Sequence, residues 1–120
     1  MKAVFDSNIL IDYLKGIPSA AREINQFENK NISIISYIEV LVGLKENDTV
    51  LAQVKGFLRS FNIIMVSAAI ADLTISARKN YRLKIPDAII LATAQSLEAL
   101  LVTRNSKDFS PDNPMVRVPY

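Results

Sequence analysis

Short apolar runs alternate along this chain with longer stretches of helical spacing. Lys2 to Phe5 predicts a buried strand running into Asp6, and Asp6-Ser7-Asn8 offers capping groups for a helix through Ile9, Leu10, Tyr13 and Leu14. Gly16 and Pro18 stop that helix, and a second is predicted from about Ser19 to Phe27. The polar turn Glu28-Asn29-Lys30-Asn31 follows, and the β-branched run Ile32-Ser33-Ile34-Ile35 predicts the next strand. Ser36-Tyr37-Ile38-Glu39 has the spacing of a capping box, so a helix is expected to open at Ser36 and to continue through the apolar run Ile38 to Leu44. It ends at the polar break Glu46-Asn47-Asp48. Thr49 to Phe61 sets Leu51, Val54, Phe57, Leu58 and Phe61 on one helical face, ahead of a strand at Ile63 to Val66. Ser67 to about Arg82 is helical again. Pro86 suits a first helical position, and Asp87 to about Ala99 forms a helix apolar on more than one face, as a helix sandwiched in the core must be. Leu100 to Thr103 and Met115 to Val118 complete the strands.

Strands separated by helices on this scale predict an α/β fold, a mainly parallel sheet with helices on both faces. Ligands of such folds gather at the carboxyl ends of the strands. Asp6 follows the first strand, Ser36 the second, and the segment from Thr103 to Phe109 another, so three motif-bearing segments are expected at one sheet edge. At 120 residues without repeats or linkers, the chain is expected to form a single domain over 1–120, large enough to bury about two-thirds of its unfolded surface.

Composition narrows the chemistry. The chain has no cysteine and no histidine, which excludes a zinc finger, a thiol nucleophile, a catalytic triad and a histidine base. Carboxylates are left as the strong side-chain metal ligands, with a preference for magnesium or manganese. No apolar run approaches about 20 residues and no leader pattern opens the chain, so a soluble, cytoplasmic protein without membrane contact is expected. The net charge of +2 alone does not argue for nucleic acid. Half of the residues are hydrophobic, and the first helix presents Ile9, Leu10, Ile11, Tyr13 and Leu14 on more faces than one core covers, which predicts a homodimer.

Four acids stand where apolar segments begin, end or break: Asp6, Glu39, Asp87 and Asp108. Each has an ordinary structural reading. Asp6 can cap the first helix, Glu39 can complete the capping box, Asp87 can favour a helix dipole, and Asp108 can be a solvated loop residue. Their agreement in predicted position has another reading, because carboxylates brought together repel unless a cation lies between them. Asp12 reads as a solvated or peripheral group. Gly43, four residues beyond Glu39, suggests a helical face open to close approach. Arg78, Lys79, Arg82 and Lys84 precede Asp87, while Arg104 and Lys107 flank the Asp108 loop. They form either a solvated helix end or a cationic rim that would hold a polyanion over an acidic centre, with Tyr37 and Tyr81 able to pack or to stack on bases.

The segments FDSNILIDYL, SYIEVLVG, PDAIILATA and LVTRNSKDF, in this order and spacing, resemble the PIN-domain family of ribonucleases, and the chain is similar in size to its VapC-type toxins. The resemblance implies a three-layer α/β/α fold and a magnesium- or manganese-dependent endoribonuclease. It also implies a VapB-like antitoxin partner whose tail occupies the active-site groove. On this resemblance Asp6, Glu39, Asp87 and Asp108 match the catalytic and metal-holding acids, supported by Ser7, Asn8, Ser36, Thr103 and Asn105. Arg82, Lys84, Arg104 and Lys107 are the expected RNA contacts. Asn105 stands where some members carry a further aspartate.

Without histidine, a carboxylate-held metal would activate the attacking water, and a second would stabilise the leaving oxygen, so the expected products carry a 5′-phosphate and a 3′-hydroxyl. Two other functions fit parts of the pattern: a magnesium-dependent phospho-acceptor or phosphatase-like domain, and a protein-binding module whose acids are only caps.

Overall fold

The structure is a computed structural model that describes residues 1–45 and 47–120; Glu46 of the expected polar break lies outside the described residues. Five strands, β1 (Lys2–Phe5), β2 (Asn29–Ser33), β3 (Asn62–Ile64), β4 (Leu100–Val102) and β5 (Val116–Arg117), form one sheet in the order β3-β2-β1-β4-β5. All four pairings are parallel. The helices are α1 (Ser7–Leu14), α2 (Pro18–Asn25), α3 (Ile34–Val42), α4 (Asp48–Arg59), α5 (Ala68–Tyr81) and α6 (Ile85–Leu97).

Side chains alternate across the central strand and so build two cores, one on each side of the sheet. Ala3 and Phe5 join Ile9, Leu10, Ile24, Val54 and Leu58 on one face, while Val4 joins Ala77, Ala88, Leu91 and Ala94 on the other. The result is a three-layer α/β/α arrangement. Phe5 meets Phe27 and Phe61 edge-on, with ring centroids 5.7 and 5.8 Å apart. Burial of each such ring contributes about 1.5–3 kcal/mol. On the opposite face α6 is buried at Ala88, Ile90, Leu91, Ala92, Thr93 and Ala94, as expected for a helix without a solvent side over its middle turns.

Several expected boundaries move: β3 covers Asn62–Ile64 and stops short of Val66, and the largest change is at β2. β2 starts at Asn29, so most of the expected polar turn is strand, and it ends at Ser33 rather than Ile35. The amides explain the shift. Asn31 Nδ2 donates to the Ala3 carbonyl at 3.0 Å and to Asn29 Oδ1 at 2.6 Å, and Asn62 Nδ2 donates to Asn31 Oδ1 at 3.2 Å, which satisfies polar groups inside a parallel ladder. As a consequence α3 opens early. Ser33, not Ser36, is its cap, accepting from the Ile35 N–H at 3.1 Å, and the expected Ser36–Glu39 capping box does not form. Gly43 is the residue that ends α3, in ordinary right-handed geometry where a Cβ would meet backbone oxygens at 3.6 Å, so no packing contact among the described residues requires a glycine there.

Candidate active site

In strand order, the chain leaves β1 toward β2 on one side and reaches β4 on the other, which makes the carboxyl ends of β1 and β4 the switch point where such sheets bind ligands. Asp6 stands there. Its N–H donates to the Val102 carbonyl at 2.9 Å, and its buried side chain accepts from the Ser7 N–H at 2.7 Å, Thr103 Oγ1 at 2.8 Å and Asn8 Nδ2 at 3.3 Å. Burial pushes the Asp6 carboxyl up, and these hydrogen bonds only partly oppose it.

Glu39 reaches the same place from α3, where its Oε1 accepts from Ser7 Oγ at 3.1 Å. Burial raises its carboxyl, the Ser7 bond opposes the rise, and the charge of Asp6 adds to it. Asp87 comes from the opposite layer. α6 runs antiparallel to the strands, so its first turn lies at their carboxyl ends and carries Asp87 into the group. Burial, then repulsion from Asp6, Asp108 and Glu39, push the Asp87 carboxyl up to about 6, against a smaller downward pull from Lys84. Asp108 is exposed on the loop after β4 and is held by Asn105, whose Nδ2 donates to Asp108 Oδ2 at 2.9 Å and whose Oδ1 accepts the Asp108 N–H at 3.2 Å. Asp6, Glu39 and Asp108 therefore all sit within electrostatic reach of Asp87, and Asp6 within reach of Glu39.

Among the described residues none of the four has an ion-pair partner. Nor do any three acidic side chains among the described residues stand as a finished cage for an ion. The donor set still fits a hard divalent cation, since it is all oxygen, uncompensated by a base, and held together against its own repulsion. Asp6 is the fixed member, and Glu39 and Asp108, being exposed, have rotamers free to turn toward it. Ser36 is fully buried one turn before Glu39, and its Oγ has no hydrogen-bond partner among the described residues. Thr103 links the two sides of the group, donating to Asp6 and accepting from the Asn105 N–H at 3.0 Å.

Of the four expected cationic contacts, Lys84 caps α6 with its backbone beside Asp87, and Arg82 adopts left-handed geometry (φ 56°) at the end of α5. Lys107 projects from the Asp108 loop. Arg104 is differently placed. Its guanidinium forks onto Asp12, with Nε 2.5 Å from Oδ2 and Nη2 3.1 Å from Oδ1. Of the two readings of Asp12, solvated or peripheral, the first fails, because the side chain is buried and paired. Nothing local signals that pair, because the partners lie 92 residues apart. Tyr37 packs against the core formed around Phe5, whereas Tyr81 is exposed. A cleft of about 600 Å³, lined by Met1, Lys2, Gln95, Glu98, Leu100 and Met115, lies at the opposite sheet edge and includes none of the four site acids.

The family profile described as PIN domain matches residues 3–110. A chain of a toxin–antitoxin complex from Klebsiella pneumoniae is 42% identical, covering 99% of this chain and 98% of that one, with a TM-score of 0.92. A chain of VapBC2 from Rickettsia felis, in a structure bound to a DNA fragment from their promoter, is 22% identical over 98% of each chain, with a TM-score of 0.82. A chain of FitAcB from Neisseria gonorrhoeae is 18% identical over 98% of this chain and 97% of that one, with a TM-score of 0.80. These last two establish likeness of fold alone. No curated protein matches the chain.

Proposed function

Because this chain belongs to the PIN-domain family, we propose that it is an endoribonuclease that works on magnesium or manganese held by Asp6, Glu39, Asp87 and Asp108, and that it is the toxin of a toxin–antitoxin pair. The observation that carries the reading is the Asp87 carboxyl, pushed up to about 6 by burial and by three acids from separate segments. A structural acid would have found a base, as Asp12 and Glu23 have. A bound divalent cation would supply Lewis acidity toward the phosphoryl oxygens and toward water. The chain's own residues do the placing: Ser7, Asn8 and Thr103 fix Asp6, Ser7 reaches Glu39, and Asn105 fixes Asp108. Ser36, buried behind Glu39 with no hydrogen-bond partner among the described residues, is the proposed support of that helix turn. Arg82, Lys84 and Lys107 contact the RNA backbone from both flanks, with Arg104 at their margin.

A VapB-like antitoxin is the proposed partner, in keeping with the similarity to a chain of the Klebsiella pneumoniae complex. The active form is a homodimer of a single PIN-like domain (1–120), with Val42, Met65 and Ile75 among the exposed apolar residues available for association. No helix among the described residues is long and apolar enough to cross a membrane, and we place the protein in the cytoplasm with its RNA. The test is cleavage of a mixed, labelled RNA pool by antitoxin-free protein in magnesium, manganese or EDTA. Metal-dependent cutting to 5′-phosphate and 3′-hydroxyl ends is expected. A cyclic 2′,3′-phosphate product, or equal cutting in EDTA, would refute the metal mechanism, and a light-scattering mass of one chain at micromolar concentration would refute the dimer.

A further inference from the structure

We propose that Asp12, Arg104 and Tyr120 form a clamp that positions the 103–108 loop, and with it Asp108, for the reaction; the proposal rests on the nuclease reading above. Arg104 is the first residue of that loop after Thr103, and α1 holds it twice. Asn8 and Asp12 are four residues apart and so share one face of α1. Asn8 Oδ1 accepts the Arg104 backbone N–H at 3.1 Å, while Asp12 accepts the guanidinium through two bonds, at 2.5 and 3.1 Å. Tyr120, arriving from beyond β5, donates its hydroxyl to Asp12 Oδ2 at 2.9 Å, and the Arg104 Cζ lies 6.0 Å from its ring centroid.

The charges suit a permanent fastening. Burial would raise Asp12, but the Arg104 and Tyr120 hydrogen bonds more than offset it and hold the carboxyl below its usual range. Burial and Asp12 push the Tyr120 hydroxyl up to about 12, so it stays a donor at any working pH.

From Arg104 the fastening passes to the site in short steps. Asn8 Nδ2 donates to both Asp6 Oδ2 and Thr103 Oγ1, each at 3.3 Å. Thr103 Oγ1 accepts from the Asn105 N–H at 3.0 Å, and Asn105 holds Asp108 at both ends. At its far side the loop is anchored by buried Phe109, whose N–H donates to the Asn105 carbonyl at 3.0 Å. Release of the Arg104 side chain would leave the loop to Phe109 and to the backbone bonds onto Asn8 and Thr103, without its charged fastening to α1. Arg104 is therefore a positioning residue, acting through Asn105 and Asp108 more than by touching RNA.

The test combines kinetics with amide hydrogen exchange on Asp12→Asn, Arg104→Ala, their double variant, Arg104→Lys and Tyr120→Phe. Loss of a group that orients an active-site carboxylate typically costs 10–100-fold. Asp12→Asn and Arg104→Ala should each lower kcat by about tenfold, at that lower bound, with KM and salt dependence nearly unchanged. The double variant should be no worse than either single one. Arg104→Lys should rescue little, since an ammonium cannot fork onto Asp12. A raised KM and a flatter salt dependence in Arg104→Ala alone would identify a direct RNA contact and overturn the clamp. Exchange reads the loop without reference to activity. The Arg104, Asn105 and Asp108 amides should exchange faster in Asp12→Asn, and less so in Tyr120→Phe, which is the variant least able to disturb folding. Unchanged exchange in both would overturn the clamp even in an active nuclease. Faster exchange in a protein that cuts no RNA would uphold it and sink the nuclease reading instead.

Discussion

Asp6 is as deeply buried as Asp12 and Glu23, at 4%, 3% and 4% exposure, yet the fold treats them in opposite ways. Asp12 and Glu23 each receive an arginine fork from a distant segment, Arg104 and Arg117. Asp6 receives only neutral donors and lies beside Asp87 and Glu39. A buried carboxylate costs several kcal/mol unless it is paired. Arginines were thus available to this fold and were placed elsewhere. Uncompensated acid at the switch point of the sheet costs stability, and it is the arrangement that the proposed cation-dependent activity requires.

The widest separation between the two groups should come from neutralising one member of each. Asp87→Asn should reduce RNA cleavage by about a thousandfold or more, the scale of a lost electrostatic group in a reacting centre, and leave the thermal midpoint of the metal-free protein unchanged or higher. A large fall in that midpoint would make Asp87 structural. Glu23→Gln should do the reverse. It frees Arg117, and Gln26 loses its charged acceptor, so stability should fall by about 1–3 kcal/mol, below the range for fully buried pairs because the arginine is partly exposed. Its turnover should stay within twofold of wild type, measured beside denaturant unfolding.

How much of this contrast could be read in advance depends on the range of the interactions involved. Asp6 and Asp87 were legible because each is tied to a local signal: the end of an apolar strand, and Pro86 opening an apolar helix. The strand β2 was misplaced because Asn29 and Asn31 are turn formers in isolation and become strand residues only when Ala3 and Asn62 supply partners. The capping-box spacing pointed to Ser36, but β2 ends earlier than its β-branched run suggested, and Ser33, read as a strand residue, is the cap. Pairing of Asp12 with Arg104 and of Glu23 with Arg117 spans more than ninety residues, so no periodicity could show it. The acids of the candidate site were therefore readable as a pattern, whereas their isolation from bases was visible only in three dimensions.

Acid should act on the two groups with opposite signs. Asp87 is raised in the folded chain, so folding takes up a proton between the ordinary value of 3.8 and about 6. Its contribution favours the folded state in acid and is lost as pH rises through 6. Asp6 and Glu39, also raised, act in the same direction. Asp12 is lowered, so its contribution is present above 3.8 and is lost only as pH falls below that. In EDTA the protein should therefore gain stability from pH 7 to 5, by about 1 kcal/mol from Asp87 after allowance for its partial exposure. Asp87→Asn should lose that part of the gain. A wild-type midpoint that falls steadily over this interval would show that the acids are ionised and paired with a positive group in the folded chain.

The smallest expected effects concern the bases that remain free. Lys84 and Lys107 flank the acids and make no ion pair among the described residues, whereas Arg104 and Arg117 are committed. If the free bases hold the RNA backbone, Lys84→Ala and Lys107→Ala should each raise KM a few-fold, leave kcat near wild type, and reduce the slope of log affinity against log salt by about one. Lys84 also pulls the Asp87 carboxyl down, so its loss should move the acidic limb of the pH profile slightly upward. Lys107 is not among the largest influences on Asp87, and its variant should move the limb less. A change of kcat without change of salt slope in both variants would mean that the rim tunes the acids and does not grip the substrate, and the division between paired and free charges would then lie wholly within the protein.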